Sequence, residues 1–306
     1  MPTFVQNPVT VRVPASSANL GPGFDCLALA LTLADEIEAE VTPSGLVVEI
    51  DGEGAEELPR DEKHLVVQAA RMAFDALGGQ PNGLRLHCRN VIPQSRGLGS
   101  SSAAIVAGIL LARALVTDGD QLLDNAGVLT LADRIEGHPD NVAACLLGGL
   151  VIAWRDELGV RAVTCRPVEE LSPVVYIPSE RGITAHARAI LPSEVPHNDA
   201  AATVSRAVLL VHALCDEPDL LLPATEDWLH QDARADVMPE SATLIEKLRA
   251  TGISAVLSGA GPSVLALTCD ERAIELATYT SFEAHRLHID RIGATVAPVS
   301  VGHDPR

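Results

Sequence analysis

A segment rich in glycine and serine runs from residue 93 to residue 103 and precedes a stretch of helix-forming residues. Glycine permits a backbone turn that directs amides inward, and the first turn of a helix presents unpaired N–H groups at the positive end of its dipole. Three consecutive serines, residues 100–102, can add hydroxyl ligands for phosphate or Mg²⁺. The segment predicts a loop that holds a phosphate chain, although Gly-Ser loops also serve simply as helix caps.

Two common nucleotide-binding motifs are excluded at this segment. A Walker A loop closes on Gly-Lys followed by Ser or Thr, and Gly99 is followed by serines instead. A dinucleotide-binding fingerprint requires a third glycine at the position that Ser102 occupies. The predicted phosphate loop therefore belongs to neither class.

Acidic and amide side chains crowd into the segment 136–141, which reads Glu-Gly-His-Pro-Asp-Asn. We expect a helix to end at the glycine and the proline to prevent its continuation, so that Glu136, Asp140 and Asn141 share one turn. Carboxylate oxygens are ligands that Mg²⁺ prefers, which favours a metal role for this turn. His138 is interpreted as a hydrogen-bonded structural residue rather than a base.

Two further loops are built around glycine. Gly21 and Gly23 bracket a proline after the first predicted strand, and this tight loop is expected to place the side chains of Asn19 and Asp25 at the end of that strand. Segment 258–263 reads Ser-Gly-Ala-Gly-Pro-Ser and offers only hydroxyls and methyls beside its proline. It either acts through close backbone approach to a ligand or forms a tight hairpin.

The elements that position these loops follow from hydrophobic periodicity. Alternation at period two predicts an antiparallel sheet in the first half, from strands at 9–15, 35–41, 46–52 and 83–93, followed by helices at 100–115 and 125–137. The second half predicts a strand at 172–178, helices at 184–191, 199–215 and within 228–252, strands at 253–258 and 263–268, a helix at 271–287 and a strand at 294–301. This β-α-β-β-α-β order is that of a split βαβ sandwich.

Length and charge limit the class of function. A chain of 306 residues suggests two domains or one large one. Its 22 basic and 41 acidic residues give a net charge of −19, which repels nucleic-acid phosphates and anionic membranes. We therefore expect small-molecule partners, no nucleic acid and no membrane. The uncharged stretch 250–269 is interrupted by the glycine loop and is interpreted as two strands rather than a membrane span.

Cysteine usage and the N-terminus indicate the compartment. The six cysteines are scattered singly, which argues against a zinc site or a disulfide framework and fits a reducing environment. The first residues lack the pattern of a secretory signal, so a cytoplasmic protein is expected. The oligomeric state stays open, with a homodimer as one arrangement.

Four segments carry a resemblance to a known family. Residues 93–104 resemble the phosphate-binding motif of the GHMP kinases, named for galactokinase, homoserine kinase, mevalonate kinase and phosphomevalonate kinase. Residues 14–25, 136–141 and 258–263 resemble, in that order, the N-terminal, central and C-terminal motifs of the homoserine kinases in this group. The resemblance implies an α+β, GHMP kinase-like two-domain fold, with a mixed ATP-binding domain at 1–160 and a ferredoxin-like split βαβ domain at 161–306.

Two segments of the second half resemble the substrate site of this group. Thr184 and Arg188 stand four residues apart in one such run, and Arg234 ends a run similar to the group's D-x-L-H-x-x-x-R. An arginine fork matches a carboxylate bidentately, as an amino-acid substrate requires. The resemblance implies that six residues hold homoserine, namely Asn19, Asp25, Asn141, Thr184, Arg188 and Arg234.

The resemblance also implies the reaction, which is ATP-dependent phosphorylation of the side-chain hydroxyl of L-homoserine on the route to threonine. Mg²⁺ is expected on Glu136 and a hydroxyl of residues 100–102, with Ser101 assigned. Some related kinases place the metal-binding Glu further upstream, where this chain has Thr130 and Asp133. The phosphates of ATP are expected along the loop formed by Pro93, Gln94, Ser95, Arg96, Gly97, Leu98, Gly99, Ser100, Ser101, Ser102 and Ala103.

Catalytic roles are implied for Asp25, Asp140 and Asn141, while the identity of a base for the hydroxyl proton stays open. Homoserine kinases are thought to proceed without a dedicated base, because the phosphate can accept the proton. Two alternatives to this function are a GHMP kinase that acts on mevalonate or a sugar, and a catalytically inactive sensor with the same fold.

Overall fold

The computed structural model describes residues 2–182, 184–270 and 281–298, without the side chains of residues 184 and 185. Within these ranges, strands of the N-terminal part and one late strand form a seven-stranded sheet in the order β11-β1-β2-β4-β3, with β5 pairing with β2 and β6 with β5. These strands are β1 (Val9–Asn19), β2 (Gly23–Thr42), β3 (Gly45–Gly52), β4 (Gly83–Asn90), β5 (Leu150–Asp156), β6 (Gly159–Cys165) and β11 (Thr295–Pro298).

Helices cover one face of this sheet and enclose a core of aliphatic side chains. They are α1 (Leu65–Ala76), α2 (Ser100–Leu115), α3 (Gly119–Leu122), α4 (Asn125–Glu136) and α5 (Pro139–Leu147). Of the described residues α2 buries eleven, including Ile105 and Leu111, because its residues are apolar on almost every side. The sequence predicted the bounds of α2, and those of α4 to within one residue.

A second sheet of four strands has the order β10-β7-β9-β8 within the described residues. Its strands are β7 (Ser172–Pro178), β8 (Ser254–Leu257), β9 (Val264–Thr268) and β10 (Phe282–Arg286), and all neighbours are antiparallel. Between β7 and β8 lie α6 (Thr184–Ala189), α7 (His197–Cys215), a 3₁₀ turn (Pro218–Leu220), α8 (Leu221–Ala224), α9 (Gln231–Ala235) and α10 (Pro239–Ala250). The order of the four strands is that of the split βαβ arrangement, which confirms this part of the expected fold.

Two expectations for the C-terminal elements were wrong. Residues 282–286 of the predicted helix 271–287 form β10, because Phe282 and Ala284 alternate inward and the segment pairs with β7. Residues 271–280 lie outside the described ranges. The last predicted strand belongs to the other sheet, since β11 pairs with β1 through Val9 to Arg12.

Three features of the N-terminal part also differ from the expectation. The sheet is not purely antiparallel, because α1 crosses between β3 and β4 and leaves these strands parallel. Neither α1 nor the hairpin of β5 and β6 was predicted. Pro139 does not merely end a helix but begins α5, where its missing N–H costs nothing.

The division at residue 160 stays a prediction, and we note that β6 spans it within the seven-stranded sheet. No helix in the described ranges combines the length and apolar character needed to cross a bilayer.

A close contact between α1 and α2 sets the spacing of the two helices whose N-termini reach the site described below. A Cβ atom at Gly108 of α2 would lie 2.3 Å from the carbonyl oxygen of Val66 in α1. By contrast, a Cβ at Gly127 of α4 would meet the far end of the Leu123 side chain at 2.7 Å.

Gly108→Ala should therefore lower the free energy of unfolding by about 1–3 kcal/mol, even though Ala is about 1 kcal/mol better than Gly inside a helix. Gly127→Ala is the matched control and should leave stability unchanged or higher, because a flexible side chain can move aside. Urea unfolding of both variants checks the prediction. Equal stabilisation by both substitutions would show that the helices are not in direct contact.

Candidate active site

The predicted functional segments meet at one cavity of about 300 Å³ between the two sheets. Its lining includes residues 94–101 of the predicted phosphate loop, the pair Gly259 and Ala260, and four residues of the central segment, namely Glu136, His138, Asp140 and Asn141. The lining also includes five of the six predicted substrate residues, namely Asn19, Asp25, Asn141, Arg188 and Arg234. The sixth, Thr184, begins α6, and its side chain lies outside the described part of the structure. Pro93, Ser102 and Ala103 of the predicted phosphate loop do not line this cavity.

The phosphate loop turns into α2 at Gly99, which has a φ of +70° and caps the helix. A Cβ at Gly99 would lie 2.1 Å from Ser16 Oγ, and a Cβ at Gly97 would lie 2.1 Å from the carbonyl oxygen of Ser258. These glycines are therefore required by contacts within the protein as well as by backbone conformation. The first-turn N–H groups of α2 have no intrahelical acceptor, and Ser100 and Ser101 of this turn line the cavity.

The loop 258–263 supports the phosphate loop through hydrogen bonds. Ser258 Oγ is 2.7 Å from the carbonyl oxygen of Gly97, to which it donates, and 2.8 Å from Ser17 Oγ. Asn19 Nδ2 donates to the carbonyl oxygen of Gly259 at 2.8 Å, and Asn19 Oδ1 accepts from the backbone N–H of Asp25 at 3.0 Å. Both ends of the Asn19 amide thus hold protein segments in place.

Arg96 is likewise engaged by protein groups. Its guanidinium donates to the carbonyl oxygens of Gln94, Pro178 and Ser179 at 2.6–2.9 Å. The phosphate loop is thereby tied to the end of β7, and Arg96 helps to fix the loop's position.

Glu136 lies at the end of α4 beside the first turn of α2. Its Oε1 accepts from Ser101 Oγ at 2.8 Å and from Ser102 Oγ at 2.9 Å, and His138 Nε2 lies 3.9 Å away. Ser102 is fully buried, whereas Ser101 lines the cavity. The site therefore combines the carboxylate of Glu136 with the accessible hydroxyl of Ser101.

The two residues considered as alternative metal ligands, Asp133 and Thr130, do not line the cavity. Asp133 forms a bidentate ion pair with Arg155 at 2.6 and 3.0 Å and does not line the cavity. Thr130 donates to the carbonyl oxygen of Ala126 on its own helix. Among these three residues, Glu136 is therefore the one whose carboxylate contacts the serines at the start of α2.

Asp140 is almost completely buried at the start of α5. Its Oδ1 accepts from the backbone N–H of Asn141 at 2.7 Å and lies 3.2 Å from His138 Nδ1, and this hydrogen bond raises the pKa of His138. Asn141 Oδ1 accepts from Ser16 Oγ at 2.8 Å. His138 is hydrogen-bonded to Asp140, and its role as a structural residue stays a prediction.

Asp25 and Arg188 form a bidentate ion pair at 2.7 and 2.9 Å, and both side chains are partly exposed to the cavity. Asp25 has a φ of +54°, a conformation that costs energy for a residue other than glycine. Phe24 lies under the guanidinium groups of Arg188 and Arg234, at 5.5 and 5.8 Å from its ring centre. Two arginines and one carboxylate thus share one end of the cavity.

Arg234 is 2% exposed and donates to uncharged groups, namely the carbonyl oxygens of Ala187 and Gly259 and the ring of His230. Burial, with a contribution from Arg188, lowers the pKa of Arg234 to about 10, so the guanidinium stays charged at neutral pH.

Sequence reasoning missed two residues that line the other end of the cavity. His64 precedes α1, is 3% exposed, and has no hydrogen-bond partner for either ring nitrogen among the described residues. Asp35 of β2 accepts from the backbone N–H groups of Val91 and Ile92 at 2.6 and 2.8 Å, just before the phosphate loop. Neither carries a local sequence signal, because each depends on a partner or a cavity distant in the chain.

This fold and this site define a GHMP kinase. The profile of the GHMP kinase N-terminal domain matches residues 64–149, and that of the C-terminal domain matches residues 212–279.

The chain is 55% identical over 305 residues to the homoserine kinase of Streptomyces coelicolor, with 99% of each chain covered. It is 54% identical over 301 residues to that of Streptomyces avermitilis, with 98% of this chain and 99% of the relative covered. A crystal structure of homoserine kinase from Cytophaga hutchinsonii superposes with a TM-score of 0.82 at 26% identity, covering 96% of this chain and 99% of that one. The chain belongs to the homoserine kinase family of the GHMP kinases, which confirms the resemblance seen in its motifs.

The buried carboxyl of Asp35 should make the free energy of unfolding depend on pH. Burial raises the pKa of Asp35 from 3.8 to about 6, against the opposing effect of its two backbone hydrogen bonds. Both donors contact Oδ1, so Oδ2 can carry the proton without loss of either bond. Because the folded state then binds the proton more tightly than the unfolded state, this group favours folding at low pH, and its contribution is lost as pH rises through about 6.

Relative to Asp35→Asn, which cannot titrate, the wild-type free energy of unfolding should therefore rise by about 2 kcal/mol between pH 7 and pH 4. Urea unfolding of both proteins across this range measures the difference, and effects of other carboxyls cancel. A difference that is independent of pH would contradict the raised pKa.

Proposed function

We propose that this protein is a homoserine kinase that transfers the γ-phosphoryl group of ATP to the side-chain hydroxyl of L-homoserine, giving O-phospho-L-homoserine for threonine synthesis. The proposal rests on one observation. The same cavity is lined by a phosphate loop at a helix N-terminus and by the side chains of Asp25, Arg188 and Arg234. A carboxylate beside two guanidinium groups is complementary to the ammonium and carboxylate of a free amino acid.

The phosphate loop is proposed to hold the triphosphate of ATP. The N–H groups of Ser100 and Ser101, which line the cavity in the first turn of α2, supply donors at the positive end of the helix dipole. The end of the cavity at Leu58 and Leu65 has two buried polar side chains, the carboxyl of Asp35 and the imidazole of His64. The ring nitrogens of His64 have no partner among the described residues, and a buried polar group without a partner costs about 1–3 kcal/mol. A nucleobase bound at this end would supply hydrogen-bonding groups for these nitrogens.

The residues present also fit Mg²⁺. Glu136 and Ser101 offer hard oxygen ligands, and the described residues show no ion pair of Glu136 with an arginine or lysine that would neutralise its charge. No cluster of three metal-ligating side chains occurs among the described residues. Such sparse protein ligation is typical of Mg²⁺, which binds through one or two carboxylates plus substrate phosphates. When bound, Mg²⁺ would neutralise charge on the transferred phosphoryl group.

Homoserine is proposed to bind between Asp25 and the two arginines. Its carboxylate would bind Arg234 and Arg188, and its ammonium would bind Asp25, so that the substrate replaces the Asp25–Arg188 ion pair with two of its own. Every charge of the three side chains and of the substrate then keeps a partner. Asn19 and Asn141 shape this end of the cavity, and Thr184 on the same helix as Arg188 completes the proposed substrate set.

The hydroxyl proton has two candidate acceptors among the carboxylates. Asp25 is engaged by Arg188 in this structure and by the ammonium in the proposed binding mode, whereas Asp140 uses Oδ1 for its hydrogen bonds to described residues and its Oδ2 has none. Asp140 lines the cavity next to Asn141, so we propose Asp140 as the carboxylate that faces the reacting hydroxyl. Transfer of the proton to the phosphate itself is the alternative, and Asp140→Asn would then retain activity.

Release of ADP with L-homoserine tests the proposed function. Saturating turnover with L-homoserine is expected, and none with mevalonate or galactose. Turnover with one of these alcohols in place of homoserine would assign another GHMP kinase activity. Binding of ATP without turnover of any alcohol would identify a sensor that has lost catalysis.

Glu136→Gln removes the proposed metal-binding charge with little change of volume. The rate should fall by about 10²-fold or more, which is about 2.7 kcal/mol of transition-state stabilisation. Asp133→Asn on the same helix is the matched control and should retain the rate, because Asp133 pairs with Arg155 outside the cavity. Steady-state rates at saturating substrates and Mg²⁺ check this, and the reverse outcome would move the metal site to Asp133.

Arg234→Lys keeps a positive charge but loses the planar fork that a carboxylate requires. The KM for homoserine should rise by about tenfold or more, while the KM for ATP stays within a few-fold. Arg249→Lys is a control, because Arg249 is a partly buried arginine that likewise donates to uncharged partners but does not line this cavity. Unchanged homoserine kinetics in Arg234→Lys would place the carboxylate elsewhere.

A further inference from the structure

His230 connects Arg234 to the loop between β1 and β2. Its Nε2 lies 2.8 Å from the carbonyl oxygen of Gly21, and its Nδ1 lies 2.9 Å from Nη1 of Arg234. A carbonyl oxygen can only accept, so Nε2 carries the proton and Nδ1 accepts from the guanidinium. Phe24 packs against the imidazole with 5.2 Å between ring centres. The imidazole is thus held in one tautomer and one orientation.

The two arginines of the cavity differ in how their charge is compensated. Arg188 is paired with both oxygens of Asp25, whereas Arg234 forms no ion pair with a carboxylate of the described residues. All of the hydrogen bonds of Arg234 to described residues go to uncharged acceptors. A buried arginine more commonly pairs with a carboxylate, because an uncompensated buried charge is costly.

We propose that His230 is a positioning residue that orients Arg234 by a neutral hydrogen bond, so that the guanidinium is fixed and its charge stays available for the carboxylate of the substrate. This inference depends on the proposed function for the identity of that substrate. An aspartate in the place of His230 would hold the same guanidinium but would neutralise it.

The charges that face His230 are compatible with a neutral ring. Asp227 Oδ2 lies 3.5 Å from Nε2, but the Asp227 carboxylate accepts from the backbone N–H groups of residues 229, 230 and 231. Asp25 is the other carboxylate that acts on the ring, and Arg234 opposes protonation. Burial is the largest effect and lowers the pKa of His230, as expected for an imidazole that accepts from an arginine.

Three substitutions at one position separate orientation from charge. His230→Asn places an amide oxygen near the position of Nδ1 and keeps a neutral acceptor, and His230→Asp has the same shape with a negative charge. His230→Gln places its amide nitrogen near Nε2, which keeps the bond to Gly21 and removes the acceptor for Arg234. The three purified variants are compared with wild type in homoserine KM, ATP KM, homoserine binding by calorimetry and thermal unfolding.

The proposal expects His230→Asn to stay within about threefold of wild type in homoserine KM and Kd, and His230→Asp to weaken both by about tenfold or more. His230→Asp should nevertheless unfold at the same temperature as His230→Asn or higher, because it gains an ion pair. The KM for 3-aminopropan-1-ol, which lacks the carboxylate of homoserine, should be equal in these two variants. The ATP KM should stay unchanged in both.

Equal homoserine affinity in His230→Asn and His230→Asp would overturn the proposal, since the charge of the acceptor would then not matter. If His230→Asp does not fold, His230→Gln decides, and homoserine affinity within threefold of wild type in that variant would also overturn it. Failure of the proposed function is a separate result, because wild type itself would then release no ADP with homoserine.

Discussion

The site depends on direct contact between three backbone segments, which are the end of β1, the phosphate loop and the loop 258–263. Ser258 donates to the carbonyl oxygen of Gly97, and the backbone N–H of Gly259 donates to the carbonyl oxygen of Ala18 at 3.0 Å. No side chain fits at Gly97 without displacing this junction. Because one segment comes from each sheet and one from the loop between β4 and α2, the junction fixes the phosphate end of the cavity relative to its arginines.

Charge is the second constraint, because a chain of net charge −19 is proposed to bind a triphosphate and a carboxylate. The backbone supplies part of the positive potential that these anions require. The N-termini of α2 and α5 both reach the cavity, where helix dipoles favour anions without adding a basic side chain. The carboxylate of Asp140 accepts a hydrogen bond from one backbone N–H in the first turn of α5 and so offsets part of the positive potential at this N-terminus. The arginines concentrate the remaining positive charge at the end where an amino-acid carboxylate is proposed to bind.

Local patterns predicted the elements that depend on local chemistry, and long-range pairing explains the failures. The helix α2 has strong helix formers after a glycine turn, so its bounds followed from the sequence. Residues 282–286 were predicted as part of a helix, but pairing with β7 makes them a strand. The motifs led to Glu136 and Arg234. The bond of Arg234 to His230 spans one helical turn and could have been suggested by the i, i+4 spacing, whereas the tie of His230 to Gly21 could not.

The proposed binding mode also explains how one substrate would be both attracted and selected. Before substrate binds, Asp25 and Arg188 satisfy each other, so an ion of a single sign would have to leave one of them unpaired. A zwitterion offers a partner to each. Arg234 has no carboxylate partner among the described residues and gives the anionic group a net attraction that the Asp25–Arg188 pair cannot provide. Selection of an amino acid over a neutral alcohol or a simple acid therefore follows from one compensated and one uncompensated arginine in the same cavity.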